Sequence, residues 1–264
     1  MRKLANLRKI LKELDSAVLA FSGGLDSSFL LKVAHDCLGR NLLAVTANSA
    51  TYPKSELDFS RKLAKSLHAR HRIIQTCELK DRKFSANPPH RCYYCKKELF
   101  YRLQQIAKKE NLKVVIDAQN ISDKDDFRPG EKAKKELGIR SPLVDAGFDK
   151  QDIRKFSRMM KLPSWDKPAA ACLASRIPYG KKISPAVLRR IEKAEEFLKK
   201  LKIRQVRLRH YDDSCRIEAL PDDFSRLVKH RLKIVRRLKA LGYNYIALDL
   251  QGYRTGSLNE SIKK

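Results

Sequence analysis

The stretch that decides the fold is Ser16–Leu31, with the sequence SAVLAFSGGLDSSFLL. Its apolar beginning, residues 17–21, is typical of a buried strand, and residues 29–34 have the apolar spacing of a helix. The glycines between them allow backbone conformations that other residues avoid. Such a turn brings backbone N–H groups and the positive end of the helix dipole together. The stretch therefore predicts a site for phosphate or another oxyanion.

Three hydroxyls and a carboxylate favour a phosphate site over an ordinary glycine turn. Ser22, Ser27 and Ser28 supply hydroxyl donors, and Asp26 stands at the start of the helix. A bare Gly-Gly pair would instead favour a generic turn of an α/β protein. The loop is not a Walker phosphate loop, because G-x-x-x-x-G-K-[ST] is absent from the sequence.

The pattern Ser-Gly-Gly-x-Asp-Ser resembles the PP-loop of the ATP pyrophosphatase superfamily. The resemblance implies that ATP is cleaved between its α- and β-phosphates and that AMP passes to an oxygen of the substrate. It also implies that the backbone of Gly23 and Gly24 and the hydroxyls of Ser22, Ser27 and Ser28 hold pyrophosphate. Asp26 would then lie near Mg²⁺.

The composition is that of a basic protein with enough apolar residues to form a hydrophobic core. The chain has 264 residues, of which 42% are apolar, and this suits one large domain or two smaller ones. It carries 58 Lys and Arg against 30 Asp and Glu, a formal net charge of +28. This charge favours anionic partners, and RNA is one candidate. The Lys-rich surface of a thermophilic protein would give a similar net charge.

The sequence lacks the usual signals for membranes and export. No apolar run approaches the length of a transmembrane helix. The N-terminus has helical periodicity and no secretory apolar region, so we expect a cytoplasmic protein. We therefore expect its six cysteines to be reduced thiols.

Alternating strand and helix patterns predict an α/β fold. Strands are expected at 16–21, 42–47, 71–75 and 113–117, with helices between them, which indicates a doubly wound, mainly parallel sheet. From residue 184 the pattern becomes αββαβ, typical of a smaller α+β domain, and includes a single helix predicted over 224–241. We predict domains at 1–162 and 184–264, joined by a functional connecting loop at 163–183.

Two loops after predicted strands are candidates for ligand contacts, because ligands of open α/β sheets bind outside the carboxyl ends of the strands. The loop that begins at Asn48 follows the second strand, and its nearest positions, Ala47 and Asn48, are candidate adenosine contacts. Asp123, Asp125 and Asp126 follow the fourth strand and could hold Mg²⁺, or they could belong to a solvated loop.

Three cysteines suggest a metal cluster. Cys92-x-x-Cys95 could be half of a zinc site, a redox pair or half of a cluster site. No second C-x-x-C completes a zinc site, and the pair does not open a helix directly after a strand, as a thioredoxin motif would. Cys172 lies in a loop interrupted by prolines and a glycine. Three thiolates leave one iron of a [4Fe–4S] cluster open for sulfide or substrate, which favours a cluster over ordinary structural thiols.

Two arginines suggest a second phosphate site. Arg207 and Arg209 alternate along one predicted strand, so their side chains share a face. Paired guanidinium groups suit a phosphate. A solvent-exposed strand face is the alternative.

Five stretches of the sequence together resemble the LarE family of ATP-dependent sulfur transferases, and the resemblance covers nearly the whole chain. The segment 165–180 is its most specific part. The stretches that carry the resemblance are Ser22–Ser27, Asp125–Gly130, Arg140–Leu143, Trp165–Pro168 and Cys172–Gly180.

The resemblance implies a role in making the nickel-pincer nucleotide of lactate racemase and similar enzymes. The implied substrate is a small nucleotide, pyridinium-3,5-biscarboxylic acid mononucleotide. ATP adenylates one carboxylate and releases pyrophosphate, a sulfur nucleophile displaces AMP to leave a thiocarboxylate, and the cycle repeats on the second carboxylate. Arg207 and Arg209 match positions that bind the substrate phosphate.

Members of the family differ in the source of sulfur. In one type, a cysteine at the position of Cys172 gives up its own sulfur and becomes dehydroalanine. In the other, three cysteines hold a [4Fe–4S] cluster that presents an extra sulfur. Cys92 and Cys95 beside Cys172 favour the cluster type, which would need a sulfur donor. The resemblance also suggests a homo-oligomer.

Two other functions remain as alternatives. A PP-loop tRNA thiolase would use the same adenylation and cluster chemistry, although no RNA-binding appendage or zinc module is recognisable in the sequence. A nucleotide-sensing or scaffold protein would keep ATP binding without transfer, and the intact Ser-Gly-Gly-x-Asp-Ser pattern argues against it.

Overall fold

The computed structural model describes residues 1–123, 129–168 and 171–261. These residues form two compact units. The first contains Met1–Glu78 and the described residues between His90 and Pro168, and the second contains Leu79–Pro89 and the chain from Ala171 onward. The division thus falls near residue 170, within the predicted connecting loop at 163–183, and the short segment 79–89 belongs with the second unit.

The first unit is built on a parallel sheet, as the sequence predicts. Its four strands have the order β3-β2-β1-β4, and every neighbouring pair is parallel. In the central strand, Leu19 pairs with Ala44 on one side and Ile116 on the other. The strands are β1 (Ala17–Ala20), β2 (Leu42–Asn48), β3 (His71–Gln75) and β4 (Val114–Ile116).

Helices cover both faces of this sheet. The helices from the start of the chain to residue 159 are α1 (Arg2–Glu13), α2 (Leu25–Leu38), α3 (Lys54–Ser66), α4 (Arg82–Ser85, in the second unit), α5 (Arg91–Lys109), α6 (Gly130–Glu136), α7 (Pro142–Asp145) and α8 (Lys150–Met159).

Alternate side chains of β1 face different helices, because successive strand residues point to opposite faces of a sheet. Leu19 belongs to a buried cluster with Phe29 of α2 and Phe156 of α8. Val18 belongs to another, with Phe100 and neighbouring residues of α5. This two-sided burial explains the continuous apolar run of the strand and confirms the predicted doubly wound layer.

The second unit has a small sheet of three strands in the order β5-β6-β7, in which β5 and β6 are antiparallel and β6 and β7 parallel. Ser184 caps its first long helix, since its side chain accepts a hydrogen bond from the N–H of Val187 at 3.3 Å. The elements from residue 185 onward are α9 (Pro185–Lys200), β5 (Val206–Tyr211), β6 (Ser214–Ala219), α10 (Phe224–Lys229), α11 (Arg231–Ala240) and β7 (Tyr245–Leu248).

The single helix predicted over 224–241 is wrong. His230 has φ −96° and ψ 11°, and it ends α10 and precedes α11. The buried residues Leu227, Ile234 and Leu238 keep helical spacing across this break, so the apolar pattern gave no sign of it.

Within the described ranges, no helix combines the length and the apolar character needed to cross a membrane.

Candidate active site

The glycine loop after β1 has the geometry of an anion cradle. Gly24 is the N-cap of α2, and among the described residues no side chain caps this helix, so its first N–H groups are open to an anion. Gly23 has φ +61°, and a Cβ at this position would lie 3.1 Å from Cβ of Ser60. The loop therefore requires glycine both for its backbone conformation and for the close approach of α3.

The serines predicted to hold pyrophosphate lie in different surroundings. Oγ of Ser22 and Oγ of Ser27 are 3.1 Å apart, and Oγ of Ser27 also lies 3.3 Å from the Gly24 carbonyl oxygen. Ser28 is fully buried, and its Oγ has no hydrogen-bond partner in the described part of the chain. An unsatisfied buried hydroxyl is costly, so this hydroxyl fits a loop that receives a ligand oxygen.

Asp26 is paired with a lysine from a distant part of the sequence. Nζ of Lys150 lies 3.0 Å from Oδ2 of Asp26, and the backbone N–H of Lys150 donates to Oγ of Ser122 at 3.1 Å. Lys150 is the first residue of α8, so the pair joins the beginnings of two helices. No local pattern around Lys150 predicted its place beside the glycine loop.

A second lysine contacts the loop directly. Nζ of Lys167 lies 3.0 Å from the carbonyl oxygen of Gly23 and 2.8 Å from Oε2 of Glu56. It also lies 3.5 Å from the centre of the Phe59 ring. In the sequence, Lys167 stands out only as part of the stretch 165–168, and no local pattern predicts its contact with the glycine loop.

Tyr52 lies in the loop after β2. Its hydroxyl donates a hydrogen bond to the carbonyl oxygen of Ser22 in the glycine loop. Burial raises the pKa of Tyr52 well above its ordinary value, and the charge of Glu56 adds to this shift. The phenol is therefore a stable hydrogen-bond donor at neutral pH. The candidate adenosine contacts, Ala47 and Asn48, are half-buried at the carboxyl end of β2.

A buried glutamate, which sequence reasoning missed, holds the same loop. Oε1 of Glu78 accepts hydrogen bonds from Oγ of Ser49 at 2.6 Å and from Oγ1 of Thr51 at 2.5 Å. Only 4% of Glu78 is exposed. Buried, hydrogen-bonded carboxylates fix backbone segments well, so the loop after β2 has a defined shape.

Of the three predicted magnesium carboxylates, Asp123 lies within the described residues. Asp123 is buried, and its Oδ2 accepts a hydrogen bond from the backbone N–H of Asn120 at 3.3 Å. Asp125 and Asp126 lie outside the described residues. In the ranges 1–123, 129–168 and 171–261, no three His, Cys, Asp or Glu side chains are placed to hold a metal ion.

The predicted cluster cysteines belong to different units. Cys92 and Cys95 lie in the first two turns of α5 in the first unit, and their spacing of three places them on one side of the helix. Cys92 is exposed and Cys95 is half-buried. Cys172 belongs to the second unit and is exposed. The [4Fe–4S] cluster therefore stays a prediction.

Hydrogen bonds hold the turn at Cys172. Its carbonyl oxygen accepts from Oγ of Ser175 at 2.8 Å and from Nη1 of Arg176 at 3.0 Å. Nη1 of Arg176 also donates to the carbonyl oxygen of Ala171 at 2.7 Å. The same guanidinium forms two bonds to Glu195, at 2.8 and 2.9 Å. The backbone of Cys172 is thus fixed to α9 while its side chain stays exposed.

Arg207 and Arg209 are buried, so the solvent-exposed alternative is wrong. Each is 6% exposed. Arg209 makes two hydrogen bonds of 2.8 Å to Glu218 and one of 2.7 Å to Oγ of Ser257. The guanidinium of Arg207 lies 5.4 Å from the centre of the Tyr253 ring. The alternation of these residues with apolar ones did not reveal that residues 206–210 are all buried.

Among the described residues, the buried charged side chains around these arginines include three cations and two anions. The cations are Arg176, Arg207 and Arg209, and the buried anions that face them are Glu195 and Glu218. Burial lowers the pKa of the Arg207 guanidinium, and the charge of Arg176 lowers it further. An anionic ligand would relieve this repulsion, so the residues suit the predicted phosphate group.

Comparison with known proteins agrees with the glycine loop and the parallel sheet. Residues 13–119 match the family model described as asparagine synthase. The chain is 41% identical, over 99% of its length and 98% of the other protein, to an uncharacterised protein of Synechocystis. It is 30% identical to an uncharacterised protein of Methanocaldococcus jannaschii, over 97% of this chain and 98% of that one.

A named relative is the pyridinium-3,5-bisthiocarboxylic acid mononucleotide synthase of Lactiplantibacillus plantarum. It is 36% identical to this chain over 99% of this sequence and 95% of its own. Because the identity extends over nearly all of both proteins, the chain belongs to the LarE family of ATP-dependent sulfur transferases, within the PP-loop superfamily.

Proposed function

We propose that this protein adenylates the carboxylates of pyridinium-3,5-biscarboxylic acid mononucleotide and converts them to thiocarboxylates for the nickel-pincer nucleotide. The observation that carries the proposal is the full-length identity of 36% to a synthase whose name states the bisthiocarboxylic acid product. The anion cradle at Gly23 and Gly24 supports the adenylation step, because that step needs a site for the leaving pyrophosphate.

Activation makes a poor acyl donor into a good one. A carboxylate oxygen attacks the α-phosphorus of ATP, the bond to the β-phosphate oxygen breaks, and pyrophosphate leaves. The open N–H groups at the start of α2 and the hydroxyls of Ser22 and Ser27 would bind its oxygens. Lys150, beside Asp26, adds positive charge. Asp26 is the candidate ligand for a Mg²⁺ ion, which would neutralise phosphate charge when bound.

Sulfur transfer completes the reaction. Arg207 and Arg209 would hold the substrate phosphate. In the sacrificial route, the sulfur of Cys172 attacks the acyl carbon and AMP leaves. Loss of the Cα proton of Cys172 then breaks its Cβ–S bond, which leaves dehydroalanine and the thiocarboxylate. In the catalytic route, a [4Fe–4S] cluster held by Cys92, Cys95 and Cys172 would supply a sulfide.

The test is an assay of the purified protein with ATP and the pyridinium substrate, before and after anaerobic reconstitution with iron and sulfide. The proposal expects a thiocarboxylate product together with AMP and pyrophosphate. Iron content and visible absorption of anaerobically purified protein distinguish the two sulfur routes. Absence of product under both conditions, with wild-type protein that binds ATP, would reject the proposal.

A tRNA thiolase is the second candidate, and the net charge of +28 favours it. Sequence- or shape-selective tRNA binding that weakens steeply with salt would support this candidate. Weak and uniform binding would leave the small-molecule substrate as the better assignment.

A further inference from the structure

We propose that Lys167 is a positioning residue of the glycine loop, which sets the direction of the backbone N–H that receives phosphate. The inference rests on the proposed function, because it concerns the ATP site. It assigns a role in nucleotide binding to a side chain that lies outside the Ser-Gly-Gly-x-Asp-Ser pattern.

Lys167 acts on the peptide group between Gly23 and Gly24. Nζ of Lys167 donates to the carbonyl oxygen of Gly23 at 3.0 Å. A trans peptide group is planar, so the N–H of Gly24 points away from that oxygen. A donor that fixes the Gly23 carbonyl therefore also fixes the Gly24 N–H. Gly23 has no side chain and adopts φ +61°, so little else in the residue restrains this peptide plane.

The positive charge of Lys167 also affects the Gly24 N–H. An ammonium group that binds a carbonyl oxygen polarises the peptide, and hydrogen bonds strengthen one another through such polarisation. The Gly24 N–H thereby becomes a stronger donor to an anion. Since Gly24 is the N-cap of α2, this N–H lies where the helix dipole also favours negative charge.

Contacts with other described residues hold the lysine in place. Its ammonium lies 2.8 Å from Oε2 of Glu56 and 3.5 Å from the centre of the Phe59 ring, in addition to the bond to Gly23. Its side chain is 14% exposed and that of Glu56 10%. An ammonium so enclosed has one main orientation, as a positioning residue requires.

The alternative is that Lys167 only neutralises the buried charge of Glu56. The two roles can be separated, because removing the glutamate charge satisfies the second role but not the first. Lys167→Met keeps an unbranched side chain of similar length against Phe59 and removes the donor. Glu56→Gln in the same chain removes the charge that would otherwise be left without a partner.

The experiment measures binding of a non-hydrolysable ATP analogue by calorimetry and the thermal midpoint of each variant. The variants are Lys167→Met, Lys167→Arg, Glu56→Gln and the double variant, with Lys155→Met on the exposed side of α8 as control. We expect Lys167→Met to weaken analogue binding at least tenfold, because a charge-assisted hydrogen bond is lost. Lys167→Arg should keep most of the affinity.

The double variant decides between the roles. We expect it to regain the thermal midpoint of the wild type while its analogue binding stays weak. Wild-type affinity in the double variant, or in Lys167→Met alone, would overturn the inference and leave the proposed function intact. Wild-type protein that bound no analogue would instead contradict the proposed function itself.

Discussion

Nζ of Lys150 lies 3.0 Å from Oδ2 of Asp26 and so joins the first turns of α8 and α2. The turn that carries Lys150 is firmly held, because Asp149 and Asp152 form a capping box at the start of α8. A positive side chain is therefore kept beside the loop where a triphosphate would bind.

Replacing this lysine should impair adenylation. Lys150→Met removes a positive charge beside the proposed phosphate site and leaves Asp26 to repel the nucleotide. We expect ATP-dependent release of pyrophosphate to fall about tenfold, as a lost charge-assisted hydrogen bond implies. Lys155→Met, on the same helix, is the matched control. Equal rates in both variants would show that Lys150 has no part in the reaction.

Gly23→Ala should reduce both stability and nucleotide binding. The new Cβ would lie 3.1 Å from Cβ of Ser60, at φ +61°. The backbone conformation alone costs about 1–2 kcal/mol, and the contact displaces the loop from α3. Chemical denaturation and analogue binding measure the two effects.

Gly138→Ala is its control, because Gly138 has φ +60° and open space where the Cβ would be. It should lose stability and keep nucleotide binding. If Gly23→Ala also kept wild-type binding, the close approach of α3 would not matter to the cradle.

Arg209→Met should destabilise the second unit strongly. The side chain of Glu218 is fully buried, and the variant leaves its charge without Arg209. Nη2 of Arg216 stays 3.1 Å from Oε1 of Glu218, so the cost should lie near the lower end of the range of about 3–5 kcal/mol for breaking a buried pair. Urea unfolding measures the loss, with the exposed Arg189→Met as control. A loss below about 1 kcal/mol, the range of surface ion pairs, would contradict the buried pairing.

His71 should make stability depend on pH. Burial lowers the pKa of His71 below its ordinary 6.5, and the charge of Arg61 lowers it further. The unfolded chain then takes up a proton before the folded chain does, so stability is complete above about pH 6.5 and falls as pH decreases below it. In the structure, Nε2 of His71 lies 2.8 Å from Oγ1 of Thr46.

Thermal midpoints of His71→Gln and wild type, measured at several pH values, test whether His71 makes stability depend on pH. The variant should show a shallower decline below pH 6.5. Some decline should persist, because burial also lowers the pKa of His210. Identical pH profiles for variant and wild type would mean that folding does not lower the pKa of His71.

Local signals in the sequence predicted much of the fold. The change of pattern at residue 184 correctly marked the start of a helix, and the apolar run at 17–21 marked a buried strand of the parallel sheet. The glycine loop was visible because its residue types and their order are specific. The break at His230 was not, because the buried residues on its two sides keep helical spacing.

Parts of the site that depend on tertiary packing could not be predicted. Lys150, Lys167 and Glu78 reach the loops near β1 and β2 from distant positions, and no spacing within the sequence marks them. The arginines of β5 were recognised as a pair, but their burial depends on Glu218 and on the segment that carries Ser257. A lone charged residue gives no sign of its partner.

The central claim is that this protein replaces carboxylate oxygen with sulfur at the expense of ATP. The most direct measurement is mass spectrometry of the pyridinium nucleotide after anaerobic incubation with the iron- and sulfide-reconstituted protein, with and without ATP. We predict a sulfur-for-oxygen exchange that requires ATP and disappears in Cys172→Ala. An unchanged nucleotide with wild-type protein and ATP, or equal product from Cys172→Ala, would contradict it.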